Sequence, residues 1–116
     1  MFLAQHYPFK KTRSHVSSGG LGTMGASLPL AMGVKVAKPD EEVWSISGDG
    51  GFQMNLQEMA TLQQDGINVK IAVINNQFLG MVRQWQDLYH NKNYASTKLW
   101  NPTFPRLAEA YGIPAF

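Results

Sequence analysis

Between Ala26 and Ala37 the chain reads ASLPLAMGVKVA, apolar almost all round. A helix without a polar face is one buried on all sides. Pro29 is tolerated in its first turn, where a backbone N–H would have no partner. Lys38-Pro39 ends it. The run EVWSIS at 42–47 is short and β-prone, and it predicts a strand. From 52 to 64 the period changes: Phe52, Leu56, Met59, Ala60 and Leu62 or Gln63 fall at helical spacing, and Asp65-Gly66 closes that helix. NVKIAVIN at 68–75 is nearly continuous in Val, Ile and Ala after its start, as a buried parallel strand is. Over 79–90 the pattern is again helical, with Met81, Val82, Trp85, Leu88 and Tyr89 on one side. Residues 91–102 read as a polar loop, and 103–112 as a short helix closed by Gly112. Residues 1–21 show no periodicity; 1–16 are an irregular N-terminal segment and Ser17-Ser18-Gly19-Gly20 a flexible loop.

Helices and strands therefore alternate. At this spacing, alternation predicts right-handed βαβ units and a parallel sheet with flanking helices, an α/β fold. A chain of 116 residues holds one small domain. With 44% hydrophobic and 16% charged residues it is globular rather than disordered. It has no cysteine, which excludes disulfides and thiolate metal sites. A net charge of +2, with Lys10, Lys11 and Arg13 as the one basic patch and no aromatic set beside it, argues against a nucleic-acid face. No apolar run approaches the length of a membrane span, and the first residues lack a signal-peptide pattern, so a cytoplasmic protein is expected. The aperiodic start and the stop at AYGIPAF read as cuts, so a piece of a larger protein is expected.

Two glycine motifs compete for the chemistry. Gly20, Gly22 and Gly25 match G-x-G-x-x-G, and Asp49 is available as the acidic partner of an NAD-type site. That fingerprint must follow a buried strand, whereas KKTRSHVSS precedes it. The second motif, Gly48-Asp49-Gly50-Gly51, stands between a predicted strand and a predicted helix, which excludes a hairpin. A strand–turn–helix can present free backbone N–H groups to a phosphate, and glycines allow close approach. No Gly-Lys-Ser/Thr follows, so this is no Walker loop. A carboxylate beside a phosphate makes sense with a divalent cation between them. The next strand ends in Asn75-Asn76, with Asn76 lying 27 positions after Asp49. In a parallel sheet both carboxyl ends meet at the edge where ligands bind.

G-D-G, about 25 residues and then N-N resembles the thiamine-diphosphate (ThDP) motif of ThDP-dependent enzymes. SSGGLGTMG at 17–25 and NNQFLGMVRQWQDL at 75–88 are similar to the large catalytic subunit of acetohydroxyacid synthase, also called acetolactate synthase. The resemblance covers nearly all of the chain from about Ser17. It implies a truncated, flavodoxin-like doubly wound domain, a single partial C-terminal diphosphate-binding domain over 1–116. It further implies that Asp49, Asn76 and the carbonyl of Phe78 hold Mg²⁺, with Gly48, Gly50 and Gly51 at the diphosphate. By the same resemblance Met24 props the bent cofactor and accepts from its aminopyrimidine, and Gly22 gives room there. Gly80, Met81 and Val82 border the thiazolium, and Trp85 reaches the pocket for the second 2-ketoacid. Met24, Met81 and Trp85 are the residues expected nearest the chemistry. The implied reaction decarboxylates pyruvate and condenses the hydroxyethyl unit with a second 2-ketoacid, giving 2-acetolactate, a step of branched-chain amino acid biosynthesis. The implied assembly is a homodimer or tetramer with a regulatory small subunit.

In that family a glutamate from the partner subunit's N-terminal domain activates the cofactor. Glu41, Glu42, Glu58 and Glu109 match no such motif, and the FAD-binding middle domain is not in this sequence. The isolated chain is therefore expected to be inactive. Read without the motif, Met81 and Trp85 at i, i+4 are core residues. His6, His15 and His90 read as surface or loop residues, and Arg83 as part of a solvated helix face ahead of a contact to a substrate carboxylate. The alternatives are another ThDP lyase, of the sulfoacetaldehyde acetyltransferase or glyoxylate carboligase type, an NAD-type module, and a non-enzymatic cofactor-binding fragment.

Overall fold

The computed structural model describes residues 1–116. Its elements are α1 (Phe2–His6), α2 (Ser27–Ala37), β1 (Trp44–Gly48), α3 (Asp49–Phe52), α4 (Glu58–Gln64), β2 (Lys70–Ile74), α5 (Gly80–Tyr89) and α6 (Phe104–Ala110). The two strands pair in parallel, from Trp44 opposite Lys70 to Gly48 opposite Ile74. This is the expected α/β arrangement, a parallel sheet flanked by helices.

Side chains alternate across a strand, so the register sorts them into two faces. Ser45, Ser47, Ile71 and Val73 share one. Against it lies the core: Leu28 and Met32 from α2, Phe52 from α3, and Met59 and Leu62 from α4, with Ile71 and Val73 packed on them. Burying such a side chain contributes about 1.5–3 kcal/mol. Phe104 of α6 joins by an edge-on contact with Phe52, ring centroids 5.7 Å apart. Ser45 is buried on this face because its hydroxyl is bonded to that of Ser27, 3.0 Å away. Ser27 also donates to the Ile46 carbonyl, which ties the start of α2 to β1. The opposite sheet face carries Trp44, Ile46 and Ile74, all exposed.

Two elements differ from expectation. The helix predicted over 52–64 is broken into α3 and α4 by turns at 53–57. Asn55 sits in that break, and its amide reaches across to the Gly25 carbonyl at 3.0 Å. Asparagine competes with helix by such bonds. The apolar period survives the break because both pieces pack on one core. The N-terminal segment, expected to be irregular, contains the short helix α1, which buries no residue. A radius of gyration of 15.4 Å exceeds the roughly 13 Å of a compact domain of this length. The excess reflects α1 and α5, neither of which buries a residue.

Candidate functional site

The parallel register brings the carboxyl end of β1, at Gly48, beside that of β2, at Ile74. Asp49 follows the first and Asn75-Asn76 the second. Gly48 is extended, with φ −73° and ψ 159°, and the chain turns into α3 at Asp49. Asp49 is 2% exposed. Its Oδ2 accepts from the Gln77 backbone N–H at 2.9 Å and from Asn101 Nδ2 at 2.6 Å. Its Oδ1 makes no such bond and is not sealed from solvent. One carboxylate oxygen is thus occupied and the other is open.

The turn after β2 is held by its own side chains. Asn75 Oδ1 accepts from the Gln77 N–H at 3.2 Å, and Asn76 Oδ1 from the Phe78 N–H at 3.0 Å. Gln77 has φ +61°, a left-handed conformation that non-glycine residues rarely adopt. That conformation accompanies an N–H aimed at Asp49. Phe78 then forms an antiparallel bridge with Lys98. Leu79 N–H donates to the Thr97 carbonyl and Leu99 N–H to the Gln77 carbonyl, both at 2.8 Å. The Arg83 guanidinium lies over the Phe78 ring at 4.2 Å and over the Tyr94 ring at 5.1 Å.

The glycines fall into distinct roles. A Cβ on Gly50 would stand 2.8 Å from Leu79 Cδ2, 3.1 Å from Leu99 Cδ1 and 3.8 Å from Met24 Cε. Gly50 thus lies against the ends of three apolar side chains, and Met24 reaches the GDG turn. Gly51 approaches the Gly25 N at 3.9 Å from its would-be Cβ, and Gly80 approaches Asn76 Nδ2 at 3.2 Å. Gly22 has φ +62° with open space around it. The loop at 20–25 follows no strand, so the dinucleotide fingerprint lacks its required context.

Met81, Val82 and Trp85 lie on α5 and are exposed, Trp85 at 57%. They are not core residues of this chain, and Trp85 stacks on Tyr89 with centroids 5.1 Å apart. Asn101 lies in the stretch expected only as a polar loop, 52 positions from Asp49, yet it touches the central carboxylate. The one sequence cue was Asn-Pro at 101–102, which marks a turn but no partner. An open cleft of about 730 Å³ runs beside this network, lined by Asn75, Gln77, Asn101 and Phe104 among others. None of the glycines or Met24 lines it.

Electrostatically, the exposed Glu42 carboxyl is held below its ordinary value by its hydrogen bond from Lys70 and then by that from Trp44. Tyr94 is raised because its hydroxyl donates to Asp87. No cluster of three His, Cys, Asp or Glu side chains is present. The set expected for Mg²⁺ has one carboxylate with amide and carbonyl oxygens, all hard donors. The open Asp49 Oδ1 fits it.

The two strand ends thus bring GDG and the asparagine pair together at one edge of a parallel sheet. The whole of residues 1–116 matches the family described as thiamine pyrophosphate enzyme, C-terminal TPP binding domain, and the chain belongs to that family. Within it, the chain is 55% identical over 105 residues to an acetolactate synthase of Arthrospira platensis, covering 89% of this chain and 18% of that one. It is 50% identical over 120 residues to the acetolactate synthase large subunit of Corynebacterium glutamicum, covering 99% and 19%. It is 50% identical over 113 residues to the acetolactate synthase isozyme 3 large subunit of Escherichia coli, covering 97% and 20%. The chain thus spans about a fifth of the length of these relatives. No helix is long and apolar enough to cross a membrane.

Proposed function

We propose that this chain is the Mg²⁺- and ThDP-binding part of an acetolactate synthase. That enzyme would decarboxylate pyruvate and join the two-carbon unit to a second 2-ketoacid. The observation that carries the reading is Asp49: a nearly sealed carboxylate at the strand ends, with Oδ2 bonded twice and Oδ1 open. In this reading Asp49 Oδ1, the Asn76 side-chain oxygen and the Phe78 carbonyl hold the cation. Asn76 Oδ1 accepts one hydrogen bond, from Phe78, and retains a lone pair for a metal. When bound, ThDP supplies the electron sink for decarboxylation. Gly48, Gly50 and Gly51 shape the turn at the diphosphate, and Gly22 and Met24 border the cofactor's other end. The exposed face of α5 offers Gly80, Met81 and Val82 to the reacting centre and Trp85 to the second ketoacid, and it excludes water there once covered.

Two of the chain's four glutamates are engaged elsewhere. Glu42 pairs with Lys70, and Glu58 accepts from the Thr61 hydroxyl. This supports the view that the activating glutamate comes from another domain, and that 1–116 alone forms no acetolactate. In the longer protein, oligomer contacts, FAD and a regulatory subunit would be supplied by other segments.

The test is calorimetric titration of ThDP and Mg²⁺ into the chain and its Asp49→Ala variant. Saturable, Mg²⁺-dependent binding by the parent and its loss in the variant are expected. Equal binding by both would refute the metal assignment. Product analysis of the longer protein separates 2-acetolactate from the products of a sulfoacetaldehyde or glyoxylate enzyme.

A further inference from the structure

Asn101 joins three parts of the chain through every polar atom of its side chain. Nδ2 donates to Asp49 Oδ2 at 2.6 Å and to Asn75 Oδ1 at 2.8 Å. Oδ1 accepts from Gln53 Nε2 at 2.8 Å. These partners fix the amide's orientation. Turned over, its oxygen would face a carboxylate and a carbonyl, and its NH₂ would face the NH₂ of Gln53.

The loop carrying Asn101 is itself held in register. Thr97 is 2% exposed, and the Phe78–Lys98 bridge with its two 2.8 Å backbone bonds pins 97–99 to 77–79. Asn101 is therefore delivered to Asp49 by a rigid strap. The same strap fixes the backbone on either side of the Phe78 carbonyl.

A carboxylate buried at this depth has several ways to point. Two donors on Oδ2 leave one: Oδ1 outward. We propose that Asn101 is the positioning residue for Asp49, occupying Oδ2 so that Oδ1 is presented to the divalent cation. The proposal rests on the Mg²⁺ reading above. Hydrogen-bond partners of a ligating carboxylate carry about 10–100-fold of metal affinity.

The experiment compares the chain with Asn101→Leu, which keeps the branched shape and the number of heavy atoms and removes the amide. Mg²⁺ affinity is measured calorimetrically at saturating ThDP, with thermal melting alongside. The expected result is Mg²⁺ binding weakened about tenfold or more while a cooperative melt remains. A second measurement needs no variant. In the parent chain, the Asn101 side-chain NH₂ and Gln77 amide NMR signals should shift together as Mg²⁺ is added, with the calorimetric midpoint. If Asn101→Leu binds Mg²⁺ within twofold of the parent, or if the two signals stay fixed while Mg²⁺ binds, the role of Asn101 falls and the metal site stands. If the parent chain does not bind Mg²⁺ with ThDP, both fall.

Discussion

Gly25→Ala tests whether the contact between the 20–25 loop and the GDG helix is as close as the structure has it. Gly25 is buried with φ +86°. An added Cβ would lie 2.9 Å from Met54 Cβ and 2.8 Å from Asn55 Nδ2. Met54 Cβ is fixed to the backbone and cannot swing aside. Three costs follow. The left-handed conformation costs an L-residue about 1–2 kcal/mol. Overpacking adds about 1–3 kcal/mol. Displacing Asn55 loses its 3.0 Å bond to the Gly25 carbonyl, about 1 kcal/mol. Together they come to about 4 kcal/mol, a large part of the roughly 5–15 kcal/mol that holds a domain together. Across a chain of this length that lowers the melting temperature by about 15 °C. Gly33→Ala is the control. Gly33 is exposed within α2, and no atom lies within 4 Å of its would-be Cβ. There alanine should stabilise by about 0.5–1 kcal/mol, raising the midpoint by a few degrees. Thermal unfolding followed by circular dichroism reads both. Midpoints that move the same way, or a Gly25→Ala chain within 2 °C of the parent, would defeat the close-approach argument.

Phe52→Ala removes a ring that is 5% exposed and packed edge-on against Phe104; the expected cost is about 3–5 kcal/mol, seen as loss of the cooperative melt. The effect of Glu42→Gln should be full above the ordinary carboxyl value of 4.5 and fade below it, because the folded state holds Glu42 lower. Any stability gap to the parent should close as pH falls through the folded value, and it should shrink in high salt because the group is exposed; a gap unchanged at low pH would exclude the Lys70 pairing as its source. Tyr94 has the opposite sign: its folded value lies above 10.0, so the bond to Asp87 is fully present below pH 10 and lost as pH rises through the folded value. Tyrosinate absorbance should show a larger rise for Tyr94 in the parent than in Asp87→Asn, which loses the charged acceptor but keeps the contribution of burial.

The sequence pattern located α2 to within a residue and both strands to within two, because each is an apolar run with its own period and a clear stop. It also placed Asp49 and Asn75-Asn76 at one edge of the sheet, since parallel strands present their carboxyl ends on the same side. The break at 53–57 was hidden by the core. Phe52, Leu56 and Met59 keep helical spacing while Asn55 pulls the backbone toward Gly25. Asn101 was invisible for another reason. A loop amide has no period, and its partners are 26, 48 and 52 positions away. The apolar side of α5 was legible as a stripe, but a stripe does not say whether it faces this chain's core. Here it does not.

The sheet has only two strands, so each strand is an edge. Half the backbone N–H and C=O groups of β1 and β2 face outward, and such a row is a template for another strand. One broad face between those edges shows Trp44, Ile46 and Ile74 to solvent. The charged residues standing guard there are Lys70 and the Glu42 it pairs with, both at the strands' amino ends. The carboxyl ends, where the asparagines and Asp49 meet, have no such gatekeeper. The end of the sheet where the proposed ligand would sit is thus also the end least protected against pairing with a further strand. A ligand or segment bound there would shield that end as well as fill the site.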